Sequence, residues 1–389
     1  MRSLTFLQTL GNGAIGTVYL AEMNSGNNFR RQIAVKILQS LEENNKPFVS
    51  RVRDEARLLG LLQDDEILQV ISLEKIQGRD AILMEYVEGT DLSHIVKSHY
   101  SISVRAVASI GAIAAGVLHR AHTAMDPRTK RPLNVIHRDI KPANIMITKT
   151  GGIKICDFGV AKARFEGQES ITLDPDMLLG TLHYMDPDYI RTGEISPAAD
   201  IYALGLSLLE LLTEERFGNP KFKRKDHEER IEYLIGRSQA PDAFTSLLRQ
   251  MTLWDASSRI SGKQCEQILY KISDDLSGMS LRRWAGETIP KVQAEHNTAE
   301  DVLQLLGKTI VLQNNAFTSS SSQIPLTTPM LDVKPPTDTK NTMDNTGGIH
   351  TIDIETTNTT PHWQTAQAGI FVGMAVGLLL FLLSLPIYL

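Results

Sequence analysis

The chain opens on short alternations of apolar and polar residues. Leu4–Leu10, Thr17–Met23, Ile33–Leu38, Leu68–Leu73 and Ala81–Tyr86 alternate in short runs, which predicts strands. Pro47–Leu62 interrupts them, with Val49, Val52, Ala56, Leu59 and Leu62 roughly on one helical face. The pattern up to residue 87 is therefore a small antiparallel sheet with one helix. Beyond it the period changes. Residues 92–122 carry apolar groups at helical spacing (Val104, Val107, Ile110, Ile113, Ala114 and Val117), and residues 197–213 and 240–275 do the same. A strand-rich lobe, 1–87, joined near Glu85–Thr90 to a mostly helical lobe, 88–275, makes an α+β fold in two parts.

After residue 276 the pattern loosens. Thr298-Ala299-Glu300-Asp301 opens an apolar-periodic run to Leu306, which predicts a capped helix within a connecting segment, 276–316. Residues 317–362 are mostly Thr, Ser, Pro and Asn; so little apolar surface cannot offset the entropy of ordering, and 317–366 reads as a disordered linker.

The tail is different again. From Ala368 to Leu385 the only polar side chain is Ser384, and no charged residue follows Glu355. About 20 helical residues cross a hydrocarbon core of about 30 Å. Ile370–Leu389, within 367–389, therefore predicts a single membrane span, with Trp363 and Tyr388 at the interfaces. A buried core helix, the bland alternative, would usually carry a polar stripe, and this segment has none. Met1-Arg2-Ser3-Leu4 runs straight into a strand without an apolar leader, so the bulk of the chain is expected in the cytoplasm, anchored to the lipid bilayer. In that topology the sequon-like Asn358-Thr359-Thr360 never meets a glycosylating lumen. Gly369, Gly373 and Gly377 recur every four residues, and that stripe makes a homodimer contact conceivable, against ordinary glycine tolerance in such helices.

Composition narrows the classes. The 389 residues, 42% hydrophobic, suffice for a sizeable core, and a net charge of −5 offers no electrostatic footprint for nucleic acid. Cys156 and Cys265, the only cysteines, lie far apart, which fits a reducing compartment without disulfides.

The chemistry concentrates in a few motifs. His137-Arg138-Asp139-Ile140-Lys141-Pro142-Ala143-Asn144 is followed, 18 residues after Asp139, by Asp157-Phe158-Gly159. An aspartate can orient a hydroxyl and a lysine can neutralise a phosphate. An asparagine and a second aspartate can hold magnesium. Upstream, Gly11-Asn12-Gly13-Ala14-Ile15-Gly16-Thr17-Val18 lies between two predicted strands, where glycines let backbone approach phosphates. A dinucleotide fold would start a helix there; here a strand follows, and then Ala34-Val35-Lys36.

Together these motifs closely resemble the Hanks-type (eukaryotic-like) bacterial serine/threonine protein kinases, over roughly residues 4–275. The resemblance implies a bilobal kinase fold, ATP and magnesium as cofactors, and protein substrates. It implies that Asp139 is the base and that Lys141 stabilises the transferred phosphoryl, with Asn144 and Asp157 as metal ligands. Gly11, Asn12, Gly13, Ala14, Gly16, Val18, Lys36, Glu55, Glu85, Val87 and Asp91 become the nucleotide-binding set, Lys36 pairing with Glu55. Asp200 matches an aspartate that braces the catalytic loop. Thr181 would hydrogen-bond near Asp139, and Arg138 would await a phosphate on Ser170 or Thr172. Where relatives have Ala-Pro-Glu this chain has Asp186-Pro187-Asp188, so that Asp188, one methylene shorter, is expected to meet Arg259. His137 reads as a buried support for Phe158 and Cys156 as packing. Lys221-Phe222-Lys223-Arg224-Lys225 reads as a solvated loop, with acidic lipid or substrate as the sharper alternative. The expected function is a membrane-tethered, autophosphorylating serine/threonine kinase; the rival is a membrane-anchored pseudokinase scaffold, which only the altered Asp186-Pro187-Asp188 favours. A small-molecule kinase is disfavoured by the docking stretch Gly180–Asp188.

Overall fold

A computed structural model describes residues 2–13, 16–25, 29–38, 60–62, 64–98, 100–158, 182–295 and 303–312. Several expectations lie outside them: the helix over Pro47–Leu62 save its last residues, Ala14, Glu55, Ser170, Thr172, Thr181, the linker and the tail.

The first lobe is a six-stranded sheet. Its strands are β1 (Arg2–Gly13), β2 (Gly16–Asn24), β3 (Arg30–Leu38), β4 (Val70–Ile76), β5 (Arg79–Glu85) and β9 (Thr309–Leu312). They lie in the order β4-β5-β3-β2-β1-β9 and every pairing is antiparallel. Side-chain alternation sorts β3 into two faces. Ile33, Val35 and Ile37 join Leu4, Phe6, Tyr19 and Leu83 in the lobe's core, while Ala34 and Lys36 face a cavity between the lobes.

The second lobe is helical. A short sheet, β6 (Gly89–Asp91), β7 (Ile145–Thr148) and β8 (Ile153–Ile155), lines its upper edge. The helices are α1 (Leu92–Lys97), α2 (Val104–His122), α3 (Pro187–Thr192), α4 (Pro197–Thr213), α5 (Arg224–Arg237), α6 (Asp242–Met251), α7 (Gly262–Asp275) and α8 (Leu281–Glu295). The predicted run 92–122 is two helices. Ser98 closes α1, and the Ser103 hydroxyl accepts from Ala106 N to start α2. Residues 240–275 likewise divide into α6 and α7, with a 3-10 turn at Ala256–Ser258 between them. The α4 span agrees with its prediction at both ends. Gly111 on α2 lets α4 and α7 approach: a Cβ there would lie 2.8 Å from Leu208 Cδ1.

Two further expectations change. Leu303–Leu306 is turn and coil rather than helix, and the chain then enters β9 against β1. The basic run is loop, as expected, only through Lys223, which stands at the N-cap position of α5; Arg224 and Lys225 begin that helix and pair with Asp255 and Glu229. Among the described residues α2 alone is long and apolar enough to cross a bilayer, and it is buried in the helical core.

Candidate active site

The cavity between the lobes measures about 430 Å³. One wall comes from the sheet (Leu10, Gly11, Val18, Ala34 and Lys36) and another from Met84 to Val87, which join the lobes. The helical lobe contributes Gly89, Thr90, Asp91, His94, Met146, Cys156 and Asp157, and Gln293 joins them.

Asp200 organises the loop beneath. It is 1% exposed near the start of α4, and its carboxylate accepts from Arg138 N (2.8 Å), His137 N (2.8 Å) and His122 Nε2 (2.8 Å). Burial alone would raise its pKa. The hydrogen bonds from His122 and from the His137 backbone outweigh burial and hold the carboxyl below its ordinary value. These bonds secure Arg138 in a left-handed conformation, φ 67°, that a non-glycine residue adopts only at a cost.

The next residues form one hydrogen-bonded unit. Asp139 Oδ2 accepts from Lys141 Nζ at 2.8 Å and from Asn144 Nδ2 at 2.9 Å, and Asn144 Nδ2 also reaches the Asp139 carbonyl at 2.7 Å. The 3-10 turn Pro142–Asn144 brings the amide back toward the aspartate. Across the cleft Lys36 Nζ lies 2.8 Å from Asp157 Oδ1. Burial by itself lowers the Lys36 pKa, but the charge and hydrogen bond of Asp157 reverse this and the net shift is upward. For Asp157 burial pushes up, and Lys36, with Lys141 behind it, brings the net shift down. Both groups are therefore held charged. Asp157 also takes a left-handed conformation, φ 58°.

His137 is a support. Fully buried, it receives Asp139 N on Nδ1 at 3.2 Å, so Nε2 carries the proton toward the Cys156 carbonyl at 3.0 Å. Its ring packs on Phe158 with centroids 4.3 Å apart, and burial lowers its pKa. Burial pushes the Cys156 thiol well up, which keeps it inert.

The expected nucleotide set divides. Gly11, Val18, Lys36, Glu85, Val87 and Asp91 line the cavity. Asn12, Gly13 and Gly16 sit at the tip of the β1–β2 hairpin, outside that lining, where Gly13 faces Gly16. Gly16 tolerates no side chain: a Cβ would lie 2.1 Å from the Ile37 carbonyl oxygen. The Glu85 carboxylate is engaged by Lys154 Nζ (2.6 Å) and Gln69 N (2.8 Å), and Asp91 caps α1 while accepting His94 Nδ1 at 2.6 Å. His94, Met146 and Gln293 join the lining without any motif that points to them.

One expected pair is different. Arg259 forks onto Asp186, Nη2 to Oδ1 at 2.6 Å and Nη1 to Oδ2 at 2.7 Å, with both side chains buried. Asp188 faces outward, pairs with Arg191 and accepts from Ala256 N. The shorter carboxylate at 188 is replaced by one two residues earlier, which caps α3 from the arginine side.

A strand lobe, a helical lobe and charged groups gathered at the cleft define a bilobal kinase-type domain. Residues 4–271 match the protein kinase domain family, and the chain belongs to it. It is 35% identical over 215 residues to the tyrosine-protein kinase MasK of Myxococcus xanthus, covering 54% of this chain and 32% of that one. It is 34% identical over 207 residues to the serine/threonine-protein kinase PrkC of Bacillus subtilis (53% and 30% covered), and 32% over 219 residues to PknB of Mycolicibacterium smegmatis (55% and 32% covered). The chain thus spans about a third of these curated relatives. In fold it is similar to the PknI kinase domain of Mycobacterium tuberculosis, with TM-score 0.50 and 22% identity over 69% of this chain and 96% of that one.

Proposed function

We propose that this chain is an ATP- and magnesium-dependent protein kinase that phosphorylates serine and threonine hydroxyls, including its own. The observation that carries it is the Asp139–Lys141–Asn144 unit below the Lys36–Asp157 pair. The cleft suits the nucleotide: Leu10, Val18, Ala34, Met84, Val87 and Met146 offer apolar surface for a base, and Lys36 a charge for phosphates. The donors suit magnesium as well. Asp157 provides a carboxylate, and Asn144, whose amide nitrogen is committed to Asp139, has its amide oxygen to offer. Bound magnesium ATP would supply the phosphoryl group and a cation that spreads its charge.

The chain's own residues do the rest. Lys36 keeps its ammonium charged and orients the phosphates. Both donors to Asp139 fall on Oδ2, so Oδ1 is the atom that takes the hydroxyl proton. Lys141, held on Oδ2, would add positive charge beside this carboxylate for the phosphoryl in transfer. Lys141, and the names of PrkC and PknB, favour serine and threonine; the name of MasK favours tyrosine. The scaffold reading loses its one support, because Asp186 supplies the Arg259 pair that Asp188 does not.

The hydrophobic tail, 370–389, adds a bilayer anchor to this reading, the kinase on the cytoplasmic side, and its glycine stripe a homodimer contact. Ser170 or Thr172 is then the activation-segment acceptor of a neighbour's phosphate, read by Arg138. The full chain with labelled ATP, magnesium and a generic basic protein, followed by phosphoamino acid separation, tests the activity. Label in phosphoserine and phosphothreonine is expected. Label in phosphotyrosine alone overturns the substrate class, and none in either protein favours the scaffold.

A further inference from the structure

The family match ends at residue 271, yet the fold does not. Ten residues on, α8 seats itself on the helical lobe: Leu281, Trp284, Ala285, Ile289 and Val292 are buried in its core. Trp284 Nε1 donates to the Ser101 carbonyl at 2.9 Å, and the Tyr100 hydroxyl reaches Glu295 at 2.6 Å. Within its last turn this anchored helix presents Gln293. Its Nε2 donates to the Gly89 carbonyl oxygen at 3.0 Å, and its side chain lines the cavity.

Gly89 stands where the crossing from the sheet lobe ends. On one side its strand pairs with β7, so closely that a Cβ would lie 2.2 Å from the Ile147 carbonyl oxygen. On the other side Gln293 holds its carbonyl. Gly89, Thr90 and Asp91 then line the cavity in succession, directly after the crossing residues Met84–Val87.

The same segment also grips the opposite wall. Farther on, β9 pairs with the outer edge of β1, Thr5 to Thr309 and Leu4 to Ile310, and Phe6 N donates to Lys308 O at 3.1 Å. Leu305 is fully buried among Leu4, Phe6 and Tyr19, and β1 continues from there to the cavity residues Gln8–Gly11. A segment outside the family match thus holds both the roof and the crossing-side wall of the cleft.

We infer that Gln293 is a positioning residue for the nucleoside end of the nucleotide, acting through Gly89, and that the working kinase extends to Leu312. The inference rests on the reading that the cleft binds ATP. Without the donor, the Gly89 carbonyl loses its tie to α8 and this end of the wall is less preorganised, which weakens nucleotide binding more than the chemistry at Asp139.

The test uses the full chain and three forms: wild type, Gln293→Leu, which has no donor, and Gln293→Lys, which restores one. In the leucine form KM for ATP is expected to rise about two- to tenfold, the range a net hydrogen bond supplies, with the loss falling on KM rather than kcat. The lysine form is expected to recover most of it. An unchanged KM in the leucine form overturns the inference; so does a lowered melting temperature whose shift on adding magnesium ATP equals that of wild type. If the leucine form does not fold, Gln293→Glu, equal in size and without a donor when ionised, takes its place. A wild-type chain that neither binds nor uses ATP defeats the kinase reading itself, a result distinct from normal wild-type use with insensitive variants.

Discussion

At the scale of single residues, the buried Arg259–Asp186 pair gives the sharpest stability prediction. Both partners are closed from solvent, and Arg259 also lies over the Tyr202 ring at 4.8 Å. Removing the carboxylate leaves a guanidinium desolvated and uncompensated, a loss of about 3–5 kcal/mol. Asp186→Ala is therefore expected to lower stability by that order in denaturant titration. Asp188→Ala, at an exposed ion pair, is expected to change it by less than about 1 kcal/mol. The reverse ranking would restore Asp188 as the partner. Residues of this kind mark where reading the chain stops short. Asp139, Lys141, Asn144 and Asp157 are legible because their spacing and residue types carry the chemistry directly. Two aspartates two positions apart are chemically alike, and only the path of α3 against Arg259 decides which one faces inward.

At the scale of elements, α4, α5 and the segment before the 3-10 turn close around His227. Its ring lies 5.8 Å from Tyr202, 5.5 Å from Phe217 and 5.4 Å from Trp254. Nε2 meets the Tyr202 hydroxyl at 3.1 Å, and Nδ1 has no hydrogen-bond partner among the described residues. Burial, followed by the positive charge of Arg259 and opposed by Asp186, pushes its pKa from 6.5 to about 4. The fold thus favours the neutral ring. Its contribution is complete above pH 6.5 and is lost as pH falls through 6.5 toward 4, by about 3 kcal/mol at full extent. Unfolding titrations at stepped pH should show that slope, and His227→Phe should flatten it; an equal slope in both forms would place the acid sensitivity elsewhere. Elements with a strong local period, such as β1 to β3 and α4, were readable in advance. α5 and α8 were not: α5 is mostly polar, and α8 carries Pro290 in its interior. β9 is four residues long and its partner is β1, about 300 residues upstream, so no local pattern announces it.

At the scale of the molecule, two lobes meet at one cleft, and the chain beyond the family match returns to both of them. The tail adds a separate expectation. Deleting 370–389 should move the protein from the membrane to the soluble fraction, and continued sedimentation with membranes would refute the anchor. The central claim is that this cleft transfers phosphoryl groups with Asp139 as the base. Its most direct test is the single-turnover rate of the full chain at saturating magnesium ATP, wild type against Asp139→Asn. A fall of about 10²–10⁴-fold, with nucleotide affinity kept, is the predicted result. A wild-type rate in the asparagine form would contradict it.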